Sequence, residues 1–300
     1  MFDLGIVIVN WNTRNLLRDC LRSIETGEPN IQRQVIVVDN ASSDGSAEMV
    51  RAEFPSVTVI VNSENTGFAR ANNQGLRAFG CGDIGQTSPT APRYLLLLNP
   101  DTVVPPDGFR KMVDRMDADP KIGAAGPRLE MLDGSLDLAC RRSFPSPEIS
   151  MWRMLGFSKL FPKSRLFGRY NLTYLDEHLE TEVDCIVGAY MQVRRETIQQ
   201  VGLLDEQFWM YGEDIDWAYR IKQNGWKVLY YPTVTVLHVK RAASRQNPQT
   251  KFEFQRASWQ FYRKHYRART SLPMHALVMS GLLLKGGRKL WAAIQTERHG

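Results

Sequence analysis

Cysteine is scarce in this chain: four in 300 residues, with no two in CxxC spacing. That density excludes a disulfide-built scaffold and argues against a structural zinc site. It fits free thiols at Cys20, Cys81, Cys140 and Cys185 in a reducing compartment. Long apolar runs are missing as well. The longest, around residues 276–284, falls short of the ~20 residues that a spanning helix needs. The chain enters an apolar strand at Leu4–Asn10 with no basic leader or cleavage site before it, so no signal peptide is expected. These absences together predict a cytoplasmic protein. GxxxxGK[ST] does not occur. The one GxGxxG match, Gly80 to Gly85, opens a Gly/Ser/Thr/Pro-rich loop after a helical pattern rather than joining a strand to a helix, so a bound nucleotide would be held by something other than a glycine-rich phosphate loop. No internal repeat is visible.

Carboxylates are nearly absent from one end. Residues 240–300 contain 13 Lys and Arg against only Glu253 and Glu297, a net charge of +11. Residues 1–239 hold 25 basic and 30 acidic residues, a net of −5, so the overall +6 hides a mildly acidic body with a basic tail. Such a tail suits nucleic acid or anionic lipid headgroups. No recognised reading motif accompanies the charge, so nucleic acid is not expected as a partner.

What is present is an ordinary globular composition, 43% hydrophobic, enough to bury a sizeable core. Apolar, β-branched runs at 5–9, 34–38, 57–61, 94–98 and 122–125 alternate with helical patterns at 13–25, 46–54, 67–79 and 107–117. This alternation predicts an α/β fold, a mixed and mostly parallel sheet flanked by helices. Continuous runs such as Leu95-Leu96-Leu97-Leu98 suit strands buried on both faces. In such sheets ligands lie at the carboxyl ends of the strands. Four successive strand ends here are rich in Asn, Asp and Ser: Asn10-Trp11-Asn12, the run from Asp39 to Ser46, the run from Asn62 to Gly67, and Asn99-Pro100-Asp101. Turn and capping chemistry explains any one of them, but all four together point to a binding edge.

Five segments, in order, carry a resemblance: Ile8-Val9-Asn10-Trp11-Asn12, the run Val37 to Ser46, Asn65-Thr66-Gly67-Phe68-Ala69-Arg70-Ala71-Asn72-Asn73, Leu98-Asn99-Pro100-Asp101, and Gly212-Glu213-Asp214-Ile215-Asp216-Trp217. The chain resembles glycosyltransferase family 2, and within it the bacterial rhamnosyltransferase-like members. The resemblance implies a Rossmann-like GT-A domain over 1–240, with a nucleotide-binding half at 1–126, an acceptor-binding half at 127–240 and a basic helical extension at 241–300. It implies an inverting, metal-dependent transfer of a hexose from a nucleotide diphosphate, dTDP-rhamnose first, to a hydroxyl of a glycan or lipid-linked acceptor in cell-envelope polysaccharide synthesis. A UDP-sugar donor (glucosyl, galactosyl or N-acetylglucosaminyl) is the alternative.

By that resemblance Asp39 accepts a hydrogen bond from N3–H of uracil or thymine, with Asn10 and Asn12 beside the nucleotide. Asn99-Pro100-Asp101 aligns with the family's DxD metal motif, its first Asp replaced by Asn99. A diphosphate without a glycine-rich cradle needs a cation to neutralise it, and Asp101 on a turn after a buried strand suits Mg²⁺ or Mn²⁺. His238, at a strand end, is the candidate further ligand; a structural histidine is the plain alternative. Arg70 lies in the first turn of its helix, where a cation gains nothing from the dipole, which favours contact with the nucleotide. Asn72 and Asn73 suit ordinary helix surface.

Glu213-Asp214-Ile215-Asp216 opens a helix, and acids there stabilise its N-terminus whatever else they do. Asp216 is four residues before Arg220 and is expected to pair with it on the solvent side. Asp214 shares the inward face with Trp217, Ala218 and Ile221, where desolvation raises the proton affinity a general base needs. The resemblance also assigns the base to Asp214, with Glu213 in the donor site. Trp209, Tyr211 and Trp217 crowd the same place, as sugar-stacking rings or as core.

In the tail, Leu283, Gly287, Leu290 and Ile294 form an apolar stripe with Lys285, Arg288 and Lys289 on another face. The pattern suits a lipid interface, peripheral on the inner face of the cell membrane, or the contact of a homodimer. The cationic, aromatic stretch 141–170 is expected to join it. Two other functions were weighed. A sugar nucleotidyltransferase needs a basic, glycine-rich N-terminal loop, which residues 10–17 do not supply. Asn99 admits a catalytically silent nucleotide-sugar-binding protein, against which Asp101 and Asp214 stand.

Overall fold

The structure, a computed structural model, describes residues 2–28, 30–239 and 250–296. Strands β1 (Leu4–Asn10), β2 (Arg33–Asp39), β3 (Thr58–Val61) and β4 (Tyr94–Leu98) pair in parallel, in the order β3-β2-β1-β4. Helices α1 (Arg14–Glu25), α2 (Ser46–Glu53) and α3 (Phe68–Ala78) connect them. The apolar runs are buried on both faces: Ile6, Val7, Ile8, Val37, Val38 and Leu95–Leu97 are all 0% exposed. This half follows the sequence expectation closely.

The second half is mixed. After β5 (Thr102–Val103), α4 (Gly108–Ala118) and β6 (Ile122–Glu130) come α5 (Pro147–Met154), α6 (Phe157–Leu160), β7 (Thr181–Val183) and β8 (Tyr190–Arg194). The order then runs α7 (Arg195–Val201), α8 (Glu213–Gln223) and β9 (Lys227–His238). β8 enters antiparallel between β4 and β6, while β9 runs parallel to β6. β5 and β7 each pair antiparallel with β9, completing the sheet order β3-β2-β1-β4-β8-β6-β9-β5. The parallel character therefore belongs mainly to the N-terminal half. β6 continues five residues past the expected Ala125 because Pro127 sits where the register with β9 shifts, which spares the missing N–H.

Two helices follow: α9 (Thr250–His265) and α10 (Leu272–Thr296), the latter kinked at Gly287 with φ 61°. The expected boundary at residue 240 lies outside the described residues. Beyond it α9 packs against α8, with Ala257 close to Gly212 and Phe261 beside Tyr219. The stripe predicted to face lipid is corrected in part. Leu290 and Ile294 are fully buried against Trp259 and Tyr262 of α9, because two amphipathic helices joined by a short link satisfy each other first. Among the described residues no helix is long and apolar enough to cross a membrane.

Candidate active site

The carboxyl ends of β2, β1 and β4 lie side by side and bring the Asn- and Asp-rich segments together. Asn10 and Asp39 are direct register partners. Asn10 Nδ2 donates to Asp39 Oδ2 at 2.9 Å, and the Ser42 amide donates to Oδ1 at 2.8 Å. Thr13 Oγ1 donates to Asn10 Oδ1 at 2.6 Å and so fixes which way that amide points. Asp39 is 1% exposed, and its acceptors are aimed by these donors rather than left to solvent. Asn12 takes φ 54° and accepts the Ser43 amide, which braces the loop after β2 against the loop after β1. Asp44 accepts from the amides of both Arg14 and Ser46, so it caps the starts of α1 and α2 together.

Arg70 is exposed in the first turn of α3. Asn72 and Asn73 are not helix surface. Both are 1% exposed, and Asn73 Nδ2 donates to the Leu204 carbonyl while the Leu204 amide returns a bond to Asn73 Oδ1. Asn73 thus ties α3 to the chain before α8, while Asn72 Nδ2 donates to the Phe68 carbonyl of its own helix at 2.9 Å. Trp209 contributes its backbone: its carbonyl accepts the Phe68 amide at 2.7 Å. Trp217 is core, fully buried with Nε1 bonded to the Gly202 carbonyl.

Asp101 and His238 meet across the sheet. Thr102 of β5 is the register partner of His238, and the Val239 amide donates to the Asp101 carbonyl. His238 Nε2 lies 3.4 Å from Asp101 Oδ1, and Nδ1 lies 3.0 Å from Asp137 Oδ2. Burial alone would lower the imidazole's affinity for protons, but the two carboxylates outweigh it and push the pKa up to about 9. The arrangement is a carboxylate–histidine pair whose second ring nitrogen faces another carboxylate, the outer-shell pattern of a metal-binding histidine. Among the described residues no group of three or more His, Cys, Asp and Glu is arranged to hold an ion. Asp101 and His238 thus offer two donors, which fits a cation completed by phosphate oxygens and water. Asn99 bonds through its backbone, its amide to the Ala189 carbonyl at 3.0 Å.

The acids of α8 have three different environments. Asp214 is 6% exposed, with Oδ2 at 2.7 Å from Arg142 Nη2 and at 3.2 Å from the Gly188 amide. Glu213 is buried beside it; burial first, and the Asp214 charge second, raise its pKa well above the usual carboxylate range. Its Oε2 has no hydrogen-bond partner. Asp216 is corrected: it pairs with Arg220 as its spacing predicts, at 2.9 Å, but it is 0% exposed and also takes Lys264 and His265, each at 2.7 Å. Burial would raise its pKa, and the His265 hydrogen bond together with the Arg220 and Lys264 charges overcomes that and holds it at about 2.

A single loop joins these groups. Gly188 lies between Phe68 and Asp214, and the next residue, Ala189, accepts the Asn99 amide. The Asn99–Asp101 turn and the buried acid pair are therefore anchored on adjacent residues.

Residues 3–267 match the family described as Glycosyltransferase like family 2. This chain belongs to glycosyltransferase family 2. The glycosyltransferase is 30% identical over 216 residues to the N-acetylglucosaminyl-diphospho-decaprenol L-rhamnosyltransferase of Mycobacterium tuberculosis (strain H37Rv), covering 71% of this chain and 69% of that one. It is 24% identical over 260 residues to the low-salt glycan biosynthesis hexosyltransferase Agl10 of Haloferax volcanii, covering 87% and 72%. Its fold is shared with GalNAc-T7 in complex with UDP, GalNAc and Mn²⁺, at a TM-score of 0.60 and 18% identity. That match covers 90% of the glycosyltransferase and about half, 52%, of GalNAc-T7. It is shared also with the mannosyltransferase PcManGT from Pyrobaculum calidifontis with GDP-Man and Mn²⁺, at 0.58 and 17%, covering 98% and 73%. The α/β architecture of the glycosyltransferase is thus a GT-A fold.

Sequence reasoning about this glycosyltransferase missed Arg142 and Asp137. Arg142 is 72 residues from Asp214 and Asp137 is 101 from His238, and neither lies in a periodic or motif-bearing segment. Lys264 and His265 were missed for the same reason.

Proposed function

We propose that the enzyme transfers a sugar, rhamnose from dTDP-rhamnose first, to a hydroxyl of a lipid-linked or glycan acceptor in cell-envelope glycan synthesis, with inversion. The observation that carries this reading is the loop 187–189, which anchors Asp214 on one residue and the Asn99–Asp101 turn on the next, above the strand end that holds Asp39. Asp39 accepts the pyrimidine N3–H, flanked by Asn10 and Asn12; Arg70 is exposed nearby for the diphosphate. The ring of Trp209 borders the sugar.

Asp214 removes the proton of the acceptor hydroxyl. That oxygen forms a bond to the anomeric carbon as the bond from this carbon to the diphosphate oxygen breaks, and the nucleoside diphosphate leaves with the electron pair. Glu213, kept neutral by burial, lies beside Asp214 without adding a second charge. Asp101 and His238 would hold Mg²⁺ or Mn²⁺, whose charge offsets that of the departing diphosphate. The likeness to the mycobacterial enzyme supports rhamnose and a polyprenol-linked acceptor, which would bring the reaction to a membrane surface.

A thermal-shift panel of dTDP-, UDP- and GDP-sugars with Mg²⁺ tests this. dTDP-rhamnose should raise the melting temperature most. A response to GDP-mannose alone overturns both the donor and the role of Asp39, and transfer that is indifferent to EDTA overturns the metal role of Asp101 and His238.

A further inference from the structure

Two long stretches of the chain lack carboxylates entirely: residues 149–175, with five Lys and Arg, and residues 254–296, with eight. They are 79 residues apart in sequence and adjacent in space. α5 lies on α10, so closely that a Cβ added at Gly281 would fall 2.1 Å from the Met154 sulfur. Nine of the fifteen exposed large hydrophobic residues among the described residues belong to these two stretches.

The exposed apolar residues stand among the cations. On the first stretch Leu155, Leu160, Phe161 and Leu166 are 45–68% exposed, interleaved with exposed Lys159, Lys163 and Arg165. Behind them a half-buried aromatic cluster, Trp152, Phe157 and Phe167, with ring centroids 5.2–5.7 Å apart, gives the stretch a firm base. On α10, Leu277, Leu284 and Trp291 recur every seven residues, 39%, 85% and 47% exposed. Lys285, Arg288 and Lys289 are exposed beside them. The opposite side of the same helix is spent on α9 through Leu290 and Ile294. Gly287 kinks the helix between Leu284 and Trp291, so these side chains are exposed apolar points on its two segments, additional to the side that the fold consumes.

We propose that this joint surface of α5, α6 and α10 is where the protein lies on an anionic phospholipid membrane. A surface with one exposed acid, Glu148 at the start of α5, among many cations, studded with leucine and aromatic side chains, is complementary to a leaflet that presents negative headgroups over an apolar interior. A second copy of the same surface would set cation against cation. The position also suits a lipid-linked acceptor: α5 begins five residues after Arg142, the side chain that touches Asp214. In that respect the inference rests on the proposed function, but the surface is testable by itself.

The test is co-sedimentation of the full chain with phosphatidylglycerol–phosphatidylcholine vesicles and with pure phosphatidylcholine vesicles. Strong binding is expected only to the first, weakening as salt is raised. Lys285→Gln, Arg288→Gln and Lys289→Gln together should weaken partitioning by about a hundredfold. Leu284→Ser with Trp291→Ser should also weaken it, while the nucleotide-induced thermal shift stays as in the wild type. Equal affinity for both vesicle types, no binding at all, or a triple variant that binds like the wild type overturns the proposal. So does a dimer seen by light scattering that the Ser variants dissociate without changing vesicle binding. Loss of vesicle binding with transfer intact removes only this surface; vesicle binding without transfer removes only the proposed reaction.

Discussion

A buried carboxylate proposed as a general base needs a counter-charge that does not fill its reactive position. Arg142 supplies one to Asp214, through a single nitrogen at 2.7 Å, from within the protein. Asp214→Asn keeps the shape and removes the proton acceptor. It should lower kcat by about 10²–10⁴-fold and leave nucleotide binding in place, measured by initial rates and by thermal shift with UDP or dTDP. Turnover near wild type removes the base assignment. Arg142→Met leaves Asp214 buried without its partner, a change that costs roughly 3–5 kcal/mol at such sites. Its melting temperature and kcat should both fall, and Arg142→Lys should recover part of each. A kcat unchanged in a folded Met variant would show that Arg142 does not position the base. At this scale the candidate residues were legible where residue type and strand end coincided, as at Asp39 and Asp101, and where an acid opened a helix on its inward face, as at Asp214. It was not legible at Arg142 or Asp137, which act through partners that only the fold brings near.

Helix α8 shows how an element can be read correctly in pattern and wrongly in surroundings. The four-residue spacing of Asp216 and Arg220 found the pair, but no local rule contains α9, which covers it and adds Lys264 and His265. Asp216 is thereby the electrostatic anchor of the C-terminal helices, and Asp216→Asn should free them. Hydrogen exchange in α9 should rise sharply while the central strands stay protected; unchanged exchange in α9 would contradict the anchoring. The pH dependence has a definite sign. The folded pKa of about 2 lies below the ordinary aspartate value of 3.8, so the carboxylate's contribution is complete above the unfolded pKa and disappears as pH falls through about 2. The difference in stability between wild type and variant should therefore be full at pH 6 and shrink steadily below pH 4. Strands and helices of the N-terminal half were legible because both sheet faces are buried and the apolar runs are unbroken. β6 was read short, since Pro127 signals an end unless a shifted register absorbs it.

At the scale of the whole molecule, the proposed reaction depends on a seam between the N-terminal parallel strands and the region that carries α8. Besides the Asn73–Leu204 pair, three contacts cross it near the candidate site: Phe68 N–H to the Trp209 carbonyl, Asn99 N–H to the Ala189 carbonyl, and the approach of Gly188 to Phe68 and Asp214. Gly67 makes the first of these contacts possible. With φ 84° and ψ 175° it occupies a backbone region essentially reserved for glycine, and a Cβ there would stand 2.4 Å from the Trp209 carbonyl oxygen. Gly67→Ala therefore meets two penalties, about 1–3 kcal/mol of backbone strain and a collision with main chain that no rotamer change relieves. Gly67 is close to this end of β2, since its carbonyl accepts Asn40 Nδ2 at 3.1 Å, but Asp39 itself is held by Asn10 and the Ser42 amide, so the nucleotide base should still be recognised. The Trp209 segment, by contrast, must move away, and with it the loop that leads into Glu213 and Asp214. The expected result is a melting temperature lower by several degrees, a nucleotide-induced shift that persists, and a transfer rate that falls out of proportion to the lost stability. If transfer instead declines only as far as the unfolded fraction explains, the seam is structural support and Asp214 is positioned by Arg142 and α8 alone.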